Sequence, residues 1–329
     1  MPPEERFVSY AQNGEDVVLW RALGGVPQGR YVEVGANHPL ISSITRAFYD
    51  RGWTGLEIEP LPEFVDVFRE ERPDDSVVQA AVTDAAVDSL TIHAIAGTGL
   101  STLDDSIAEE HRTDGWATTE VVVPARRLDD LLAEHLRPGD DIHFMVVDTE
   151  GSEAAVLASV DLREWRPWVL VVEATAPNST RPTHEQWEHR VLAAGYEFCL
   201  FDGLSRYYVT EERAEQLRPA LSVPANPLDE FVTYDVTARD REIDRLRAEH
   251  DREVARLHDH NDRVLDELIR WRGAVLERWA NAATGSGALN PGHEVVRLRQ
   301  QLADTHATVS WRATAPLRSL QARRLRGWR

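Results

Sequence analysis

The chain has 329 residues, a formal charge of −20 and 42% hydrophobic residues, enough for one large domain plus an appendage. Its 36 basic residues are all arginine, which excludes lysine as Schiff-base former or general base. Residues 1–235 hold 18 arginines against 43 acids, a net of −25, and residues 236–329 hold 18 against 13, a net of +5; so acidic a body repels phosphates and argues against a nucleic acid substrate.

The chain opens Met-Pro-Pro-Glu-Glu-Arg, with neither a basic n-region nor an apolar h-region, so no signal peptide is expected. No run of about 18 apolar residues announces a membrane span, and the cytoplasm is the expected compartment. Gln12, Gly14, Glu15 and Asp16 precede a first helix, where polar groups can fold over a bound nucleotide. The apolar run 31–35 then reads as a strand ending in the turn Gly35-Ala36-Asn37-His38-Pro39, and a helix and a second strand, 55–59, follow, ending at Glu59. Strand, tight turn, helix, strand and terminal carboxylate make half a nucleotide crevice, with the carboxylate placed to accept from a ribose diol. A dinucleotide turn needs three glycines to seat a pyrophosphate. Gly35 stands alone, so S-adenosylmethionine (SAM) suits the crevice better than NAD. Glu33, inside the first strand, is costly to bury unless paired, and is either a cofactor contact or half of an arginine pair.

The third run, 77–81, ends at Ala80-Ala81, which offer backbone to an adenine edge. Two extended stretches, 89–95 and 119–124, flank a helix-like segment near 103–112 and read as an insertion over the crevice mouth. The run 142–147 ends in Asp148-Thr149-Glu150-Gly151 before a helix over Ser152–Ser159, and the run 169–173 ends at Glu173. Ligands in open α/β sheets sit at such strand ends. Four roles are open to Asp148, Glu150 and Glu173: capping a helix, binding a methionine amino group, deprotonating a substrate hydroxyl, or chelating a divalent cation. His38 is a second candidate base, or a plain turn residue. The runs 196–201 and 206–209, joined by Asp202-Gly203-Leu204-Ser205, predict an antiparallel edge hairpin. Cys199, the single cysteine, reads as a buried small hydrophobe.

Residues 211–235, with three prolines, read as a linker still packed on the domain. From 236 to about 280 there is no proline. Ile243, Leu246 and His250 fit one a/d frame, and Val254, Leu257, Asn261, Val264, Leu268, Trp271 and Val275 fit a second after a four-residue stutter. This predicts a helix over 236–282 that forms a homo-oligomeric coiled coil through 243–279, or else a solitary charged helix. Gly285-Ser286-Gly287 breaks it, and the tail 283–329, arginine-rich with Trp311 and Trp328, can lie on an anionic membrane, stay disordered or dock on the acidic body.

Taken together these motifs resemble the FkbM family of SAM-dependent methyltransferases: Gln12-Asn13-Gly14-Glu15-Asp16, Val34-Gly35-Ala36-Asn37-His38-Pro39, Gly52-Trp53-Thr54-Gly55 with Glu57-Ile58-Glu59-Pro60, Gly99-Leu100-Ser101-Thr102, Val147 to Glu153, Arg166-Pro167-Trp168, Glu173-Ala174 and Phe201-Asp202-Gly203. The resemblance spans roughly residues 8–232 and implies a Rossmann-like class I methyltransferase sheet over domain 1–235. It further implies methyl transfer to a hydroxyl, typically on a sugar of a glycan, glycolipid or natural product. Glu33, Gly35, Asn37 and Glu59 carry over as cofactor contacts, joined on position alone by Gln12, Ala36 and Ala81. Asp148 and Glu150 carry over as the active-site pair. Thr149 stands where a valine is more usual. The segment Ser310 to Arg318 is similar to C-terminal segments of bacterial glycan-assembly proteins. Two other readings compete: an NAD-linked sugar oxidoreductase or epimerase, and a non-catalytic scaffold oligomerising through the long helix.

Overall fold

A computed structural model of the chain describes residues 6–95, 101–103, 108–109, 113, 115–137, 139–283, 291–308 and 311. In chain order the elements begin with β1 (Val8–Ser9), α1 (Glu15–Leu23), β2 (Arg30–Val34), α2 (Arg46–Tyr49), β3 (Thr54–Ile58), α3 (Pro62–Glu71), β4 (Ser76–Val78) and β5 (Ala81–Val82). There follow β6 (Ser89–Ala94), β7 (Thr119–Arg126), α4 (Leu128–His135), β8 (Phe144–Val147), α5 (Glu153–Ala158) and β9 (Val169–Glu173). The chain continues with α6 (Glu188–Ala193), β10 (Tyr196–Phe201), β11 (Ser205–Thr210), α7 (Glu211–Leu221), β12 (Val232–Thr233), α8 (Tyr234–Ala283) and α9 (Pro291–Ala307).

Seven strands form one sheet in the order β10-β11-β9-β8-β2-β3-β4, parallel except for β11, which runs antiparallel to both neighbours. This is the mostly parallel sheet closed by an antiparallel edge pair that the sequence predicts, with the strand order reversing between β2 and β8. Strands buried on both faces read as continuous apolar runs because helices cover each side. Alternate residues feed two cores. Val32, Val34, Met145, Val147, Leu170 and Val172 pack with Leu128, Leu131 and Leu132 of α4 and Val156 of α5. Tyr31, Phe144, Val146, Val169 and Val171 pack with Leu19 and Leu23 of α1, Trp53, and Leu217 and Leu221 of α7.

A second sheet, β5-β7-β6, carries the insertion, and β1 pairs in parallel with β12, so that Val8 lies beside Val232. The single strand expected over 77–81 is two. The Ala80 N–H donates to the Glu59 carbonyl, turning the chain out of the large sheet after Val78, so that Ala81 and Val82 pair with β7. The first 11 residues of the expected linker form helix α7. It accommodates Pro219 in its last turn, and Ala214, Leu217 and Leu221 anchor it. Cys199 is half-buried rather than buried, because a register shift between Phe198 and Leu200 turns it out of the ladder. Burial still pushes its thiol up to about 11.

The chain divides into two compact units, residues 1–243 and 244–329, with the boundary inside α8. The expected helix near 103–112, the Gly285-Ser286-Gly287 break and the tail beyond Trp311 lie largely outside the described residues. Among the described residues no helix is long and apolar enough to cross a membrane.

Candidate active site

Register alone assembles the site. Val34 lies beside Ile58 on one side and Val147 on the other, and Val147 lies beside Val172. The next residues, Gly35, Glu59, Asp148 and Glu173, therefore emerge side by side at the carboxyl edge. Gly35, Glu59 and Asp148 border a cavity lined also by Asn37, Leu61, Phe64, Ala80, Ala81, Ile92, Ser101 and Glu150, among others.

Gly35 has φ +85, and a Cβ built on it would lie 1.7 Å from the Asp148 carbonyl oxygen. The glycine is thus needed for the closure of β2 on β8 as well as for ligand approach. The turn's amides are already used. Gly35 and Ala36 donate to the Ile58 carbonyl, and Asn37 donates to Glu59 Oε2 at 2.8 Å. No nest of free N–H groups is left for a pyrophosphate, which disfavours NAD on geometry. Glu59 Oε1 accepts from the Leu61 N–H at 2.8 Å, and burial raises its carboxyl to about 7. Its remaining lone pairs face the cavity, where a ribose diol would donate to them.

These residues fit SAM on further grounds. Asn37, at φ +51, holds a buried Oδ1 with no hydrogen-bond partner, an acceptor awaiting a donor. Leu61, Phe64, Val82 and Ile92 give the cavity an apolar side suited to an adenine.

The reacting side is acidic. Asp148 and Glu150 line the cavity and Glu173, 4% exposed, stands behind them. Burial raises all three carboxyls above their ordinary range, and their mutual repulsion raises Glu150 and Glu173 further. The Asp148–Glu150 turn is held from two directions. Glu153 Oε1 accepts from the Thr149 and Gly151 amides and from the Thr149 hydroxyl, and Thr102 Oγ1 donates to the Glu150 carbonyl. These bonds fix Glu150 at φ +52, an unusual backbone for a residue with a side chain.

Other expected site residues lie elsewhere. Glu33 is outside the cavity lining: its Oε2 accepts from Thr45 Oγ1 at 2.6 Å, beside Glu57 and fully buried Arg72. Arg72 donates to Glu57, to the Thr45 and Ser43 hydroxyls and to the Pro39 carbonyl, so it offsets the two adjacent acids. Burial raises Glu33 to about 7. His38 Nδ1 accepts from the Leu40 and Ile41 amides, and burial lowers its pKa, so it serves the turn as a neutral acceptor. Gln12 is exposed and Ala36 buried, both outside the cavity lining, whereas Ala81 lies on it. Phe64 was not singled out by sequence reasoning, whereas Thr102 and Glu153 stood in quoted motifs without a site role. For both the readable signal was that of a cap: Ser101-Thr102 as a hydroxyl pair opening a helix, and Glu153 as an acid at a helix start.

The family model described as the methyltransferase FkbM domain matches residues 33–198, half of the chain. Among curated protein sequences none matches. The solved structures to which the chain is similar include the methyltransferase FkbM of Methylobacillus flagellatus, at 15% identity and TM-score 0.35, covering 56% of this chain and 44% of that one. A TehB-like SAM-dependent methyltransferase of Corynebacterium glutamicum aligns at 11% identity and TM-score 0.33, covering 60% and 88%. A precorrin-6y C5,15-methyltransferase of Geobacter metallireducens aligns at 12% identity and TM-score 0.32, covering 64% and 95%. The chain thus spans less than half the length of the first of these. With the FkbM domain matched from Glu33 to Phe198, across both halves of the crevice, the chain belongs to the FkbM family of SAM-dependent methyltransferases.

Proposed function

We propose that this methyltransferase acts on a hydroxyl oxygen, and that the hydroxyl belongs to a sugar of a glycan, glycolipid or glycosylated natural product. The observation that carries the oxygen reading is Asp148, a carboxylate on the wall of the cavity that also holds Asn37 and Glu59. A hydroxyl must lose its proton as it is methylated, and a carboxylate raised toward neutrality is matched to receive it. The sugar class rests on the motifs shared with the FkbM family.

SAM supplies an activated methyl group on a sulfonium, so the protein's work is alignment, exclusion of water and removal of one proton. Gly35 lets the turn approach, Glu59 and Asn37 orient the nucleoside end, and the apolar wall of Leu61, Phe64 and Ile92 displaces water. Asp148 takes the hydroxyl proton; burial and the repulsion of Glu153 raise its basicity, while a hydrogen bond with Glu173 draws it down.

The test is transfer of isotopically labelled methyl groups from SAM to free and lipid-linked glycans. Asp148→Asn is expected to lower turnover about 10²- to 10⁴-fold while S-adenosylhomocysteine still binds. Full activity in that variant would remove Asp148 from the reaction, and transfer only to amines would end the hydroxyl reading.

We also propose that α8 pairs with a second copy through residues 243–279. Ile243, Leu246, Leu257, Val264, Leu268 and Trp271 share heptad frames and are each 38–56% exposed, and Asn261 at an a position would set register.

A further inference from the structure

We infer that Asp148, Glu150 and Glu173 form a binding site for a hard divalent cation such as Mg²⁺ or Mn²⁺. One carboxylate oxygen from each lies within 4.8 Å of the others. Three points so spaced have a common centre at most about 2.8 Å from each, and a contraction of about 0.2–0.8 Å brings them to the roughly 2.0–2.6 Å of oxygen-ligated divalent cations. An all-oxygen set selects against the softer zinc and copper.

Acidic clusters are common on protein surfaces, but this one is inside. Glu173 is 4% exposed and its Oε2 has no hydrogen-bond partner, as is also true of Glu150 Oε2. Buried carboxylate oxygens normally find a donor, and Glu57 Oε2, the other orphaned carboxylate oxygen among the described residues, belongs to a side chain whose Oε1 takes Arg72. Glu33 has Thr45, Glu57 has Arg72 and Thr45, Asp16 has Ser9 and three backbone amides, and Glu153 has the Thr149–Gly151 turn. Around Asp148, Glu150 and Glu173, by contrast, the charged groups that act are all carboxylates, and among the described residues no cationic side chain pairs with them. Asp148 and Glu173 share a hydrogen bond, and Glu150 Oε2 and Glu173 Oε2 are left as oxygens without a donor.

A bound amine does not suffice. A single ammonium carries one charge against up to three carboxylates, and Glu173, 4% exposed, is not among the residues that line the cavity. The backbone agrees, because Glu150 is held in a left-handed conformation by Thr102 and by the Glu153 cap, bonds that set its position without using its own carboxylate. Three protein ligands leave the other positions of an octahedral ion for water and an acceptor's oxygens.

The site stands independently of which acceptor is methylated. It is tested by titrating Mn²⁺ into the EDTA-stripped full chain at pH 8, read by calorimetry and by the electron paramagnetic resonance signal of the free ion. One saturable site is expected, weakened at least tenfold by Glu150→Gln and by Glu173→Gln and unchanged by the exposed control Glu215→Gln. Absence of saturable binding in the wild type at millimolar Mn²⁺, or binding equally tight in both site variants, would overturn the proposal. Circular dichroism and melting curves establish that the variants fold, which they should, since each removes a repelling charge. Metal-free titration with S-adenosylhomocysteine reads the cofactor site separately. Cofactor binding without Mn²⁺ binding sinks the cation alone, and Mn²⁺ binding without cofactor binding upholds it while removing the SAM assignment.

Discussion

Glu59→Gln should weaken cofactor binding and flatten its pH dependence. The wild-type carboxylate is 4% exposed, held by the Asn37 and Leu61 amides and raised by burial to about 7. Two ribose hydroxyls donating to it would make charge-assisted bonds of about 1.5–3 kcal/mol each. A neutral amide retains about half of that, and its NH₂ group would face one of the two backbone N–H donors. A loss of about 2–3 kcal/mol follows, which is a Kd roughly 30- to 150-fold higher. The sign of the pH effect is set by the free protein. Below about 7 the carboxyl is protonated and must release that proton to accept from the diol, so affinity falls by about a decade per unit, and above 7 it levels off. Calorimetric titration of S-adenosylhomocysteine between pH 5.5 and 8 reads both effects. A Kd in the variant within fivefold of wild type, or a wild-type affinity flat across that range, would refute the ribose assignment.

Gly35→Ala places a Cβ 1.7 Å from the Asp148 carbonyl at φ +85, so the β2–β8 closure must open. A loss above about 3 kcal/mol is expected, and a urea midpoint close to wild type would contradict it. Stability should fall as pH rises from about 5 to 8. Burial raises Glu59 to about 7, Glu15 to about 8 and Asp16 to about 6, so the folded state keeps protons that the unfolded chain has released. From its ordinary 4.5, the Glu59 shift alone is worth at most about 3 kcal/mol. Melting temperatures that climb over this range would reverse the sign. Leu257→Asp with Leu268→Asp should turn an oligomer into a monomer by light scattering, at unchanged cofactor affinity. A monomeric wild type would remove the coiled coil.

What could be read from the sequence, and what could not, divides along one physical line. Strands covered on both faces must be apolar throughout, so their ends announce themselves as the first polar residues, and Glu59, Asp148 and Glu173 were legible as site positions for that reason. The register between strands was not legible. It places Glu33 directly beside Glu57, a pairing of like charges that is costly on its own. Arg72, one arginine among 36, supplies the counter-charge from the end of α3, and nothing in its local sequence distinguishes it. The Asp148 neighbourhood poses the same electrostatic problem two residues further along, at the carboxyl edge of the sheet, without an arginine to answer it. Glu33 and Glu59 thus share a raised pKa of about 7 and differ in what faces them. Thr45 and Arg72 close over Glu33 and make it structural, whereas Glu59 takes two backbone amides and keeps lone pairs toward the cavity. Burial perturbs both acids alike, and only the partners left open separate a ligand contact from a strut.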